Sequence, residues 1–425
     1  MNKVLQVFKI QDLRNKILIV ASLLLIFRFL AAIPIPGIDA VRLREILASN
    51  QLFGFFNIFS GGALSNLSIV MLGVAPYITA TIIMQLLTMI FPKLKEMYYE
   101  EGSAGRAKFN RYSRYLTVPL AVVQAYGFLN LLGARGVLPH LGLADLLKNV
   151  LFITTGSLIL MWIGELISEQ KLGNGTSLII FAGIISRLPS AVQQFYLDFQ
   201  SGTLRVDFIF IFIAVAILVI GGVVFIQEGE RRIPVSYAKR IRGTKMYGGV
   251  SSYLPLKVNQ AGVIPIIFAV SILLFPQFIA QASSFISSNL SLKLTDYVSN
   301  FFNNQYLYGL VYFILVIVFT YFYTAVTFDP KEISKNLQRA GGFIAGIRPG
   351  DSTSEFLAKV ISRITLAGAI FLGLIAILPN VTQVLTGIQT LSIGGTSLLI
   401  VVAVALDSAR QINSQLIMRE YEGFQ

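Results

Sequence analysis

The sequence predicts an all-α integral membrane protein of ten transmembrane helices, and three observations carry that reading. Hydrophobic residues make up 55% of the 425-residue chain and charged residues only 13%, about half the charge of an ordinary soluble domain. The apolar residues fall in long runs, such as the uncharged stretch 208–227, and roughly 20 apolar residues is what a helix needs to cross the hydrocarbon core. The basic residues are unevenly divided between the two sides of those runs, as the positive-inside bias of membrane proteins requires.

Taken in order, Met1–Lys16 holds four basic residues among Val4, Leu5, Phe8, Ile10 and Leu13, the pattern of an amphipathic helix on a membrane surface. The apolar run that follows ends in Pro-Ile-Pro-Gly at 34–37, which is not the small-residue site of a cleaved signal peptide. Spans are predicted near 17–33, 73–91, 115–133, 149–167, 176–195, 207–227, 260–282, 307–327, 360–378 and 393–412. With the N-terminus inside, the inside segments carry 26 of the 34 basic residues and the outside loops 7, with Arg28 in span 1 itself. Both termini are therefore expected on the cytoplasmic side. The chain divides into a half at 1–200, with spans 1–5, and a half at 201–425, with spans 6–10 and the basic cytoplasmic loops 228–259 and 328–363.

Parity exposes one irregular element. Residues 52–92 carry no charge, about twice the length of one span, yet two crossings would put the basic segment 92–114 outside. One part must therefore enter without crossing. The break falls at Ser60-Gly61-Gly62, and Ala63 to Leu72 is predicted as a short re-entrant helix. An apolar, non-spanning segment at membrane depth has to be buried in protein or line a cavity. A plug inside a pore and a loop folded over the outer surface both satisfy that demand.

Two internal echoes share one offset. Span 2 opens Gly73-Val74-Ala75-Pro76-Tyr77-Ile78 and span 7 opens Gly262-Val263-Ile264-Pro265-Ile266-Ile267. Span 5 opens Gly175-Thr176-Ser177-Leu178 and span 10 opens Gly395-Thr396-Ser397-Leu398. Each pair lies five spans apart. An odd offset reverses the direction of crossing, which is the pattern of two inverted-topology halves of five helices. Ile78, Ile180, Ile267 and Ile400 occupy matching places in those repeats. Brought to one axis they would form an apolar constriction that gates by dewetting; facing lipid or neighbouring helices, they would be ordinary packing residues.

Several function classes are excluded or disfavoured. The chain has no cysteine and one histidine, His140 in an expected loop, so thiol chemistry, disulfides and a His/Cys metal cluster are absent and no cofactor is expected. No serine has a neighbouring histidine, so no catalytic constellation marks an enzyme. There is no P-loop, so energy must come from a partner. An ion-coupled solute carrier needs ionisable groups at depth. Arg28 is the one deep residue of that kind, since Glu165, Asp407 and Arg410 lie near span ends where snorkelling suffices. The loops 228–259 and 328–363 carry Arg240, Arg242, Lys245, Arg339 and Arg348, charge that suits an acidic partner such as RNA phosphates. The positive-inside bias alone would also place basic residues there.

Seven pieces, in this order and spacing, resemble the SecY translocon channel family: Ile-Pro-Ile-Pro-Gly-Ile-Asp at 33–39, Phe-Ser-Gly-Gly-Ala-Leu-Ser at 59–65, Pro-Tyr-Ile at 76–78, Gly-Asn-Gly at 173–175, Leu-Lys-Val-Asn at 256–259, Gly-Val-Ile-Pro at 262–265 and Gly-Ile-Arg-Pro-Gly at 346–350. The resemblance covers nearly the whole chain. It implies an hourglass pore between two five-helix halves that conducts unfolded secretory polypeptides and releases transmembrane segments sideways into lipid. It implies a sealing ring at Val74, Ile78, Thr176, Ile180, Ile267 and Ile400, where Thr176 departs from the family's usual aliphatic residue. It places a plug over Ser60, Gly61, Gly62, Ala63, Leu64, Ser65, Leu67, Ile69 and Leu72, and polar lateral-gate positions at Thr81, Gln85 and Asn259. Expected partners are SecE and a SecG-like subunit, the SecA ATPase or the ribosome at Arg240, Arg242, Lys245, Arg339 and Arg348, preproteins bearing signal sequences, and membrane lipids. The expected location is the bacterial cytoplasmic membrane. Segment 98–108 is less basic than is usual in the family.

Overall fold

A computed structural model describes residues 10–35, 60, 62–64, 67–134, 142–201, 206–237, 240–242, 245–247, 251–283, 288–386 and 395–422. The surface helix expected at the N-terminus lies largely outside them, as do His140, Gly61 and Ser65.

Helix occupies most of the described residues of every predicted span. In chain order the helices are α1 (Gln11–Ala32), α2 (Ala75–Ile90), α3 (Pro92–Tyr99), α4 (Gly102–Ala134), α5 (Leu143–Glu169), α6 (Gly175–Ile185), α7 (Leu188–Gln200), α8 (Val206–Glu228), α9 (Ile264–Ala282), α10 (Ser288–Asn303), α11 (Gln305–Thr327), α12 (Pro330–Arg339), α13 (Asp351–Thr386) and α14 (Gly395–Glu422). Among the described residues four helical stretches are long and apolar enough to cross a membrane unaided: Gln11–Ala32, Leu143–Glu169, Gln305–Arg339 and Asp351–Leu378. The pair α2 and α3 forms a fifth candidate, bent by 111°. The bend falls at Pro92, the first residue of α3, where a missing N–H costs a helix start nothing. Gly175–Ser190, Ile213–Glu228 and Ile264–Gln277 are shorter apolar helices. The span predicted at 176–195 is thus two helices, broken at Ser186-Arg187.

The helices belong to two compact units. The first comprises Met1–Arg205, Val270–Tyr308 and Val404–Gln425. Within it α4 packs on α2, α3 and α5, and α1 packs on α5 and α6. The contact of α5 with α6 is close because both sides are glycine: a side chain on Gly175 would overlap the Gly164 carbonyl. Arg114 of α4 reaches Glu165 of α5 at 2.6 Å. The far end of α14 is tied to the α5–α6 connection, where Gln415 Nε2 donates to the Lys171 carbonyl at 2.6 Å.

The second unit comprises Val206–Ala269 and Gly309–Ala403. Its two segments expected as loops contain a three-stranded sheet of β1 (Glu230–Tyr237), β4 (Ser251–Lys257) and β5 (Gly342–Ile344), ordered β4-β1-β5. β1 runs antiparallel to β4 from Glu230↔Lys257 to Ser236↔Ser251, and to β5 from Val235↔Ile344 to Tyr237↔Gly342. β2 (Arg240–Arg242) and β3 (Lys245–Tyr247) form a separate hairpin. One face of the sheet is a small core of Ile233, Val235, Leu256, Ile344, Leu357, Val360 and Ile361, built by the alternation of a half-buried strand against the first turns of α13.

Candidate functional site

The repeats seen in the sequence recur as backbone geometry. Gly73 and Gly262 take φ of +60° and +63°, a left-handed turn that only glycine makes without strain. Two residues later a helix starts, α2 at Ala75 and α9 at Ile264, with Pro76 and Pro265 in the first turn. The first bonds also match: Ile78 N–H donates to the Val74 carbonyl at 3.0 Å and Ile267 N–H to the Val263 carbonyl at 3.3 Å. α6 and α14 both start on the glycine of Gly-Thr-Ser.

The aliphatic ring candidates are all buried. Val74 and Ile180 are 0% exposed, Ile400 2%, Ile267 5% and Ile78 8%, so none is presented to lipid. Thr176 is half-buried, and its hydroxyl donates to Asn174 Oδ1 at 2.9 Å. The same oxygen accepts the Ser177 N–H at 3.2 Å and caps α6. The threonine is therefore committed to a helix cap.

The re-entrant segment is buried more completely than any other stretch of irregular backbone described. Ser60, Ala63, Leu64, Leu67, Ser68, Val70, Met71 and Leu72 are each at most 2% exposed. The sequence predicts a short helix over 63–72; among the described residues Leu64 lies in a 3-10 helical turn and Leu67–Leu72 continue as turns, with a bridge from Ser68 to Pro34. Two features force this. Gly62 and Leu67 take left-handed φ of +83° and +43°, which no right-handed helix accommodates. The chain also pairs sideways rather than with itself: Ile35 N–H donates to the Leu67 carbonyl at 2.9 Å and Ile69 N–H to the Ile33 carbonyl at 3.1 Å. These bonds satisfy backbone groups that water cannot reach. The Ile69 carbonyl presses on Gly156 of α5, where any side chain would overlap it.

The three polar gate candidates differ in kind. Thr81 donates to the Tyr77 carbonyl at 2.9 Å within its own helix, an ordinary way to hide a hydroxyl. Asn259 is buried, and its Nδ2 donates to Gln227 Oε1 at 2.9 Å and the Gly262 carbonyl at 3.0 Å. Gln85 Oε1 and Asn259 Oδ1 are buried and have no hydrogen-bond partner among the described residues.

The basic candidates all fall in the sheet-bearing unit. Arg240, Arg242 and Lys245 sit on the β2–β3 hairpin, with Arg242 opposite Lys245 in register. Arg339 closes α12 and Arg348 is exposed on the loop before α13. That loop is fastened by Thr353 Oγ1 donating to the Arg348 carbonyl at 2.9 Å and Ser334 Oγ donating to the Gly350 carbonyl at 2.6 Å. Two features escaped the sequence reading. One is Gln227, an amide at the end of an apolar run and so indistinguishable from a span terminus. The other is Arg187, which falls inside the span predicted at 176–195; the helix start at Leu188-Pro189 directly after it marks the break.

A many-spanned helical bundle with a buried re-entrant turn segment and a basic, sheet-braced loop pair is the build of a membrane channel of the protein-translocating class. A family model described as SecY matches residues 68–409. The chain is 44% identical to the protein translocase subunit SecY of Mycobacterium bovis, over 97% of each chain. It is also 44% identical to that of Corynebacterium glutamicum, over 100% of this chain and 99% of the relative. The chain belongs to the SecY family. In fold it is similar to a solved protein-conducting channel, with a TM-score of 0.66, 20% identity and coverage of 93% of this chain and 91% of the other. A second similar structure concerns a SecY whose plug domain stabilises the closed state of the translocation channel and maintains a membrane seal (TM-score 0.64, 20% identity, coverage 93% and 91%). A third is Sec61 in the canine ribosome-channel complex (TM-score 0.63, 20% identity, coverage 93% and 91%). The protein is accordingly a multi-pass membrane channel subunit and not an enzyme, and its curated relatives are bacterial.

Proposed function

We propose that this chain conducts unfolded secretory polypeptides through a waist lined by Val74, Ile78, Ile180, Ile267 and Ile400, with Thr176 at its edge, and that residues 60–72 plug it at rest. The observation that carries the reading is the buried turn segment running directly into α2, whose start holds Val74 and Ile78. An apolar collar without water is a barrier to ions, while a passing polypeptide can wedge it open. A signal sequence gains free energy by leaving water. Inserted beside Thr81, Gln85 and Asn259, it would offer partners to the buried oxygens of Gln85 and Asn259, which favours a gate that rearranges at those positions. Sufficiently apolar segments then partition sideways into lipid.

The motive force comes from a partner, SecA or the ribosome, docked on Arg240, Arg242, Lys245, Arg339 and Arg348, with SecE and a SecG-like subunit completing the complex. Both termini and the sheet-bearing loops lie on the cytoplasmic side of the bacterial inner membrane. The positive-inside count supports that orientation.

The test is photo-crosslinking of a stalled secretory chain to probes placed at Ile78 and Ile267. Both should react along the same stretch of nascent chain, and a probe at the lipid-exposed Leu218 should not. Crosslinks at Leu218 alone would overturn the reading.

A further inference from the structure

Arg28 and Arg187 come from distant parts of the sequence to one point of the re-entrant segment. A methyl group placed on Gly62 would lie 3.4 Å from Arg187 Cδ and 3.9 Å from Arg28 Nη1. Gly62 is buried and both arginines are half-buried. The Arg28 guanidinium stands 5.8 Å from the Phe27 ring centroid. Arg187 is fixed through its backbone, its N–H donating to the Ile184 carbonyl at 3.1 Å and its carbonyl accepting from Ser190 Oγ at 2.9 Å.

Placing guanidinium groups in apolar spans is expensive, and Arg187 does so at the break between α6 and α7. The expense has a physical counterpart in the backbone it meets. The described residues of 60–74 are mostly turns and mostly buried, and turns leave carbonyl oxygens that a helix would have paired. A guanidinium brings five N–H donors in a fixed fork, and its bonds are charge-assisted. Ser60 Oγ accepts the Leu64 N–H at 3.1 Å and the Ser60 carbonyl accepts the Ala63 N–H at 3.2 Å, which ties Ser60 to Ala63 and Leu64.

Resting on the plug reading above, we propose that Arg28 and Arg187 are positioning residues, a two-armed brace that holds Gly62, and Ser60 beside it, in the sealed position. One arm stands on α1 and the other at the α6–α7 break, and α1 packs directly on α6. Any motion that separates those helices loosens both arms together. The brace thereby ties release of the plug to widening of the helix bundle and makes opening all-or-none.

The measurement is resting ion leak of the full chain reconstituted with its partner subunits, for the wild type, Arg28→Gln/Arg187→Gln, deletion of 60–72, and the two changes combined. The double substitution should raise the leak about tenfold, the population shift expected from losing one or two charge-assisted bonds. It should add nothing in the deletion background, because there is no plug left to hold. Lys at both positions should restore part of the seal. Should the glutamine variant fail to fold, the Arg187→Lys single variant carrying Ser60→Cys serves instead. Ser60 is 0% exposed and the chain has no native cysteine, so external maleimide labelling at rest should rise severalfold over Ser60→Cys alone. A tight double variant beside a leaking deletion, maleimide labelling no faster than that of Ser60→Cys alone, or a leak that adds to that of the deletion would overturn the brace and leave the plug standing. A deletion that stays sealed would overturn the plug reading and the brace with it.

Discussion

At the scale of single residues, polar side chains in this chain are placed where an apolar helix would otherwise fail to turn, end or open. Asn174 caps α6 and takes Thr176 with it, which accounts for a threonine at a position where the resemblance expects an aliphatic residue. Asn259 is held by Gln227 and the Gly262 carbonyl. Asn259→Ala would remove the donor to the buried Gln227 Oε1 and to the half-buried Gly262 carbonyl, costing about 1–3 kcal/mol. Thermal unfolding in detergent should shift down by several degrees, and adding Gln227→Leu should recover part of the loss, because the Gln227 oxygen that lost its Asn259 donor is then gone. No recovery would mean that the amide pair does not carry the stability of this corner. Neither Gln227 nor Arg187 was legible as functional in the sequence. Each looked like the polar end of an apolar run, and only packing reveals which such ends turn inward.

At the scale of elements, the spans were legible because the bilayer imposes a length that few other forces imitate. The re-entrant segment was legible from charge parity. Its turns were not, since nothing in Ala63–Leu72 announces a left-handed Leu67; cross-chain bonds to Ile33 and Ile35 impose it. The sheet was also hidden. β2, β3 and β5 are three residues each, too short for alternation to stand out, and the basic residues around them read as plain loops. Yet β5 is what joins 342–344 to the strand at 230–237. Phe343→Pro would lock φ near about −65° at the centre of a three-residue strand, far from the extended value that pairing with β1 needs. Limited trypsin digestion should then cut quickly at Lys331, Lys335 or Arg339, while the apolar spans stay intact. Resistance equal to wild type would mean that α12 and the Ile233–Ile361 core hold the loop without the strand.

At the scale of the whole molecule, a net charge of +13 is spread so that the sheet-bearing unit carries much of it at one end of α8, α11 and α13. Arg348 is the probe of that surface. It is exposed, its loop is fastened by the Ser334 and Thr353 hydroxyls, and its own side chain contributes nothing to those bonds. Arg348→Glu should therefore leave the unfolding temperature within a degree or two of wild type, as surface substitutions do. If the partner is met through phosphate contacts, ribosome binding to reconstituted vesicles should weaken, and the slope of log affinity against log salt should flatten by about one unit. Arg363, on the body of α13 rather than the loop, is the control: Arg363→Glu should not change that slope. Equal effects at both positions would mean that the surface attracts its partner by net charge alone, with no docking point at Arg348.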